Sequence, residues 1–128
     1  MLIAIFAESG LATPQDDAKE AAEDWLRLVD NSQFAETWNT AGPYLQHNVP
    51  REAWQRTLET TRKPLGQVVS RQLKSAKLMK PKMQGVPGGN YVTLQFHTTF
   101  ANKKEAIETV TPVLQKDHSW KVCGYHVE

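Results

Sequence analysis

A carboxylate set among apolar residues is the first chemistry this sequence offers. Glu108 lies in the run Glu-Ala-Ile-Glu-Thr-Val-Thr-Pro-Val-Leu at 105–114. If that run pairs as a strand with Asn90–Phe100, Glu108 falls on the apolar face beside Phe100, Thr98 and Val110. An ionised carboxylate buried there must be paired or hydrogen-bonded, or else neutralise. Arg62, Arg71 and His126 are the candidate partners. Two functional chemistries follow. Glu108, with His126 as its neighbour, could serve as a general base in a pocket. Alternatively Arg62, Arg71, Thr98 and Glu108 could grip a ligand. The structural alternative is an ion pair that fixes the sheet. Such a pair adds little net stability, yet removing one partner costs roughly 3–5 kcal/mol.

Other residue types offer less. His47, His97, His118 and His126 have no metal-site spacing: there is no His-x-His, no His-Glu-x-x-His and no calcium-loop acid cluster. No metal and no cofactor is expected. Gly-x-Ser-x-Gly, the phosphate-binding loop and the Gly-x-Gly-x-x-Gly fingerprint are missing too. Cys123 is the single cysteine, so it forms no intramolecular disulfide; beside Gly124 it reads as a small packing residue rather than a nucleophile. Arg62-Lys63-Pro64-Leu65-Gly66 reads as a helix end, with base at the C-terminus and a proline that cannot continue the helix; an anion site at Arg62 is its functional alternative.

These side chains need elements to hold them. Thr13-Pro14 begins a helix with a capping hydroxyl, proline at the first position and Asp16 and Asp17 in the first turn. Ala18, Ala21, Ala22, Trp25, Leu28 and Val29 recur at helical spacing. Asp30-Asn31-Ser32 breaks that helix, and Ser32 can cap a second short one carrying Phe34 and Trp38. Tyr44–Val49 is a turn of helix at most. Pro50 starts a third helix with Trp54 and Leu58 four apart. The tryptophans of these helices are expected to pack on the sheet. Val68–Met79 is a strand whose apolar residues change parity, which a bulge would explain. A Gly/Pro-rich hairpin connection runs from Lys80 to Gly89. Three strands follow, with expected pairings Phe96 to Val110, Val92 to Leu114, Thr98 to Glu108, Leu114 to Val122 and Val110 to His126.

Composition bounds the rest. The 128 residues fit one domain over 13–128. A net charge of +1 argues against a partner that needs a globally basic protein. The charge is uneven, however: seven basic residues and no acidic one fall within 62–82, against acidic helices. That segment could meet a polyanion or a membrane surface. It carries no interleaved aromatics, so the nucleic-acid signal is weak, and lysines on an edge strand also guard against aggregation. Residues 1–12 read as a signal-peptide remnant or as a disordered arm, the first implying a periplasmic or secreted protein and the second leaving the cytoplasm open. No run is long enough to cross a membrane as a helix.

The segments Ala21–Asp30, Arg62–Gly66, Ser70-Arg71, Tyr91-Val92, Glu108-Thr109-Val110 and Trp120–Tyr125 together resemble a bacterial family known as domain of unknown function 4019. The resemblance spans about Ala18 to Val127. It implies a small, often exported protein and supplies no catalytic residues. The layout is α+β: N-terminal helices on one face of a curved four-stranded antiparallel sheet, similar to cystatin-like and nuclear-transport-factor-like folds. A fold by itself warrants no function. The sequence thus reads as a non-catalytic binding or interaction module for a small molecule or protein, with a homodimer open. Its rivals are a pocket enzyme using Glu108 and a polyanion or membrane-surface binder using 62–82.

Overall fold

The computed structural model describes residues 12–82 and 84–128. Residues 1–11, all but the last of the twelve on which the export reading rests, lie outside them. Helix α1 (Pro14–Asp30) starts as the sequence demands: the Thr13 hydroxyl accepts from the Asp16 amide at 3.1 Å, and the Asp16 carboxylate accepts from the Thr13 amide at 3.1 Å. This reciprocal box satisfies two otherwise orphaned donors. Its inner face buries Ala18, Ala22, Trp25, Leu26 and Val29.

Helix α2 (Phe34–Asn39) differs from expectation at its start. Gln33 occupies the cap position without a side-chain bond, and Ser32 sits at φ 59°. Ser32 is spent on the left-handed turn that ends α1 and caps nothing. The segment after Pro43 forms a six-residue helix α3 (Pro43–Asn48) rather than a single turn. Helix α4 (Arg51–Arg62) closes into a short 3-10 turn, Lys63–Leu65.

The sheet is a meander of β1 (Val68–Met79), β2 (Tyr91–Phe100), β3 (Lys103–Leu114) and β4 (Trp120–Val127), all antiparallel and in chain order. Helices cover one face. Between the layers, Trp25, Leu26, Val29 and Leu58 meet Val92, Leu94, Phe96 and Val110 in one buried cluster. Two of the tryptophans are anchored on one threonine: Trp25 Nε1 donates to the Thr37 carbonyl at 3.0 Å and Trp54 Nε1 to the Thr37 hydroxyl at 2.9 Å. A buried indole N–H needs such a partner.

The registers differ from expectation in an informative way. Leu94 pairs with Val110, Phe96 with Glu108 and Thr98 with Ala106. Each is two residues from the expected pairing, because the chain turns at Ala101-Asn102 and not around Lys103. A two-residue slip keeps every side chain on its face, so Glu108 still points into the core. The β3–β4 pairing is not so forgiving. A register shift between Thr111 and Pro112 places Tyr125, not His126, opposite Val110. Proline has no N–H to give the ladder, so regular pairing cannot run through Pro112. In β1 the parity change is realised as two shifts, at Val68/Ser70 and at Leu73/Ser75.

Candidate functional site

Six elements deliver side chains to one cluster that runs from the core at Glu108 to the surface at Asp30. Glu108 projects from the middle of β3 and is 0% exposed. Arg71 of β1 approaches as a fork, with Nε 2.7 Å from Oε1 and Nη2 3.2 Å from Oε2. Thr98 of β2 donates its hydroxyl to Oε1 at 2.6 Å. Tyr125 of β4 donates its hydroxyl to Oε2. A carboxylate offers about four acceptor positions, and these four donors fill them.

The second carboxylate belongs to Asp30, the last residue of α1, whose side chain keeps 25% exposure. Arg71 reaches it with a second fork, Nη1 to Oδ2 at 2.8 Å and Nη2 to Oδ1 at 3.0 Å. Arg62, which ends α4, donates Nη2 to Oδ1 at 3.1 Å. Its Nη1 stands 3.9 Å from Glu108 Oε2 and 3.5 Å from the Tyr125 hydroxyl. Two arginines and two carboxylates thus form a neutral knot, the form in which buried charge is tolerated. An acid at a helix C-terminus opposes the helix dipole; at Asp30 the two guanidinium groups offset that cost.

The packing around the knot is tight. The Arg62 guanidinium lies 4.8 Å above the Phe100 ring, and Trp25 meets Tyr125 edge-on at 5.4 Å between ring centres. Burial works against the charge on Arg71, but the hydrogen bonds and charges of Asp30 and Glu108 outweigh it and hold its pKa above the ordinary arginine value. Burial, joined by the Glu108 charge, raises the Tyr125 phenol above its usual 10.0. Arg62 Nε is buried with no hydrogen-bond partner. The knot approaches solvent at a cleft of about 250 Å³ whose walls include Asp30, Arg62, Lys63 and Gln67.

Arg62, Arg71, Thr98 and Glu108 are therefore brought together as the sequence suggested. His126 is not: it is exposed on the opposite face, 3.7 Å from Glu128, and has no contact with Glu108. The shift at Pro112 is the reason. Asp30 and Tyr125 went unrecognised as site residues. Asp30 had read only as a helix breaker, although an acid ending a helix against its dipole was a signal. Arg62 and Arg71 are also withdrawn from the basic segment 62–82, since both are spent on acids. Cys123 is half-buried, and burial pushes its thiol up to about 11, which suits a packing role. Among the described residues no group of three or more His, Cys, Asp or Glu is placed to hold a metal ion. No helix among them is long and apolar enough to cross a membrane.

Helices folded over one face of an open four-stranded antiparallel sheet define a ketosteroid-isomerase-like, nuclear-transport-factor-like fold. Two solved structures share it. One is a candidate ketosteroid isomerase from Shewanella frigidimarina, with a TM-score of 0.56 at 14% identity, covering 88% of this chain and 94% of that one. The other is a protein from Catenulispora acidiphila, with a TM-score of 0.55 at 14% identity and 88% of each chain covered. By sequence, residues 21–125 match the model of a family described as a protein of unknown function, domain of unknown function 4019, and the chain belongs to that family. No curated protein matches the sequence.

Proposed function

We propose that the protein is a non-catalytic binding or interaction module in which the Glu108 knot is structural. The observation that carries this reading is the saturation of Glu108. Its four acceptor positions are taken by Arg71, Thr98 and Tyr125. A general base must reach a substrate proton with a free lone pair. The likeness to a candidate ketosteroid isomerase raises an isomerase reading, with Glu108 as the base of a pocket. Against it stands the setting of the carboxylate, which is 0% exposed and whose neighbours Arg62 and Tyr125 pack in turn on Phe100 and Trp25. Export from the cytoplasm is proposed from the signal-like residues 1–12 and from the family resemblance, and fractionation of cells expressing the full chain tests it.

Glu108→Gln tests the central reading. The substitution would leave Arg71 and Arg62 sharing Asp30 as their only carboxylate. The expected result is a loss of about 3–5 kcal/mol in urea unfolding, with any binding to the folded protein's surface unchanged. An enzymatic activity that disappears in Glu108→Gln while the fold persists would overturn the reading.

A further inference from the structure

The Arg-carboxylate knot leaves one surface unexplained, the outer edge of β1. This twelve-residue strand pairs with β2 alone and ends the sheet. Its outward N–H and C=O groups are a template for another strand. Among the described residues, the exposed large hydrophobic side chains are Val69 at 68%, Leu73 at 40%, Leu78 at 41% and Met79 at 45%. All four lie on β1. Leu73 pairs with Phe96 and Leu78 with Val92, so both share the helix-covered face, yet the helices stop short of them. Lys74 and Lys77 lie among these residues and Lys80 follows the strand, and from Thr60 through Lys104 the chain carries nine basic residues and no acidic one.

Protection of a bare edge accounts for the lysines but not for the apolar side chains, since a guarded edge is polar. We infer that β1 docks an extended, acidic and apolar segment of a partner protein, which adds to the sheet as a fifth strand. The inference rests on the reading of the protein as an interaction module and names its partner. Backbone pairing would supply affinity, and cross-strand acids would meet Lys74 and Lys77. A second copy of this chain fits less well, because β1 against β1 sets base opposite base. An anionic membrane fits less well too. Leu73 and Leu78 face the helix side while Met79, paired with Tyr91, faces the other, and a membrane surface needs its apolar groups on one side.

The test uses the full chain and a fluorescent decapeptide of alternating valine and glutamate, followed by anisotropy. Saturable binding is expected. It should weaken by about tenfold or more when alternate peptide amides are N-methylated, because the ladder donors are lost. The exposed double substitution Lys74→Glu/Lys77→Glu should weaken it by a similar factor, about tenfold, and favour a valine–lysine peptide instead. Equal binding of the methylated peptide would overturn the proposal in favour of plain charge attraction. Binding to phosphatidylglycerol vesicles without peptide binding would overturn it in favour of a membrane, and a dimer closed through β1 in favour of self-association. Failure of every peptide overturns β1 docking but leaves the non-catalytic reading standing, because that reading falls only to an activity abolished by Glu108→Gln.

Discussion

At the scale of single residues, Arg71 and Tyr125 show why particular side chains are needed. Arg71 presents a fork to Glu108 and another to Asp30. A lysine has one charged nitrogen and cannot bridge two carboxylates in this manner. Tyr125 contributes a neutral donor, and its phenol is raised above 10.0 first by burial and then by the Glu108 charge. A group whose folded pKa is raised holds its proton more tightly when folded. Its contribution is fully present below the unfolded phenol pKa of about 10 and is lost as pH rises above that value. Unfolding free energy should therefore fall on going from pH 8 to about pH 11. Tyr125→Phe should cost about 1.5–3 kcal/mol at pH 8, the value of a hydrogen bond to a charged group. The variant should also lose less than the parent on the alkaline side. Lysine deprotonation is common to both proteins, so the difference between their pH profiles isolates the phenol. Parallel profiles would show that the hydroxyl does not hold its proton against Glu108.

At the scale of elements, the link between α4 and the sheet depends on one glycine. Gly66 has φ 78° and ψ −165°, a region that only glycine populates readily. A Cβ there would come within 3.1 Å of Ala101 Cβ and Asn102 Nδ2. The β2–β3 turn closes on the same segment, with the Ala101 amide donating to the Gln67 carbonyl at 2.8 Å and Asn102 Nδ2 to the Pro64 carbonyl at 3.1 Å. Gly66→Ala should destabilise by about 1–3 kcal/mol in denaturant unfolding; an unchanged midpoint would mean that the turn relaxes freely. Glycine closing Arg-x-Pro-Leu-Gly was legible as a helix end, but its contact with a turn 35 residues further on was not, since nothing local encodes it. The same contrast runs through the site. Alternation along β3 kept Glu108 on the core face through a two-residue slip in pairing, because that face has period two; a one-residue slip would have reversed it. The parity conflict in β1 revealed its bulges. His126 was misplaced because one proline shifts β4 by a single residue, and a single residue reverses a face. Pro112 was visible in the sequence, and a strand interior that lacks a donor is where such a shift belongs.

At the scale of the whole molecule, two features join the layers, and their magnitudes decide which one governs unfolding. The knot ties Asp30 and Arg62 of the helical layer to Arg71, Thr98, Glu108 and Tyr125 of the sheet, and breaking it costs about 3–5 kcal/mol. The apolar cluster spans the same layers with fifteen buried residues, and its larger side chains each contribute about 1.5–3 kcal/mol on burial. The core therefore outweighs the knot severalfold. Glu108→Gln should lower the urea midpoint while leaving the transition two-state. The helical far-UV signal reports mainly α1 and α4. Tryptophan fluorescence reports Trp25, Trp38 and Trp54 in the helices and Trp120 in β4. In the variant both signals should still move together, with an unchanged m-value, because the same surface is exposed. If the two curves separate, the helical layer was held to the sheet chiefly by the charged knot. The buried carboxylate would then govern cooperativity as well as stability, and the core would have to be regarded as two weakly coupled halves.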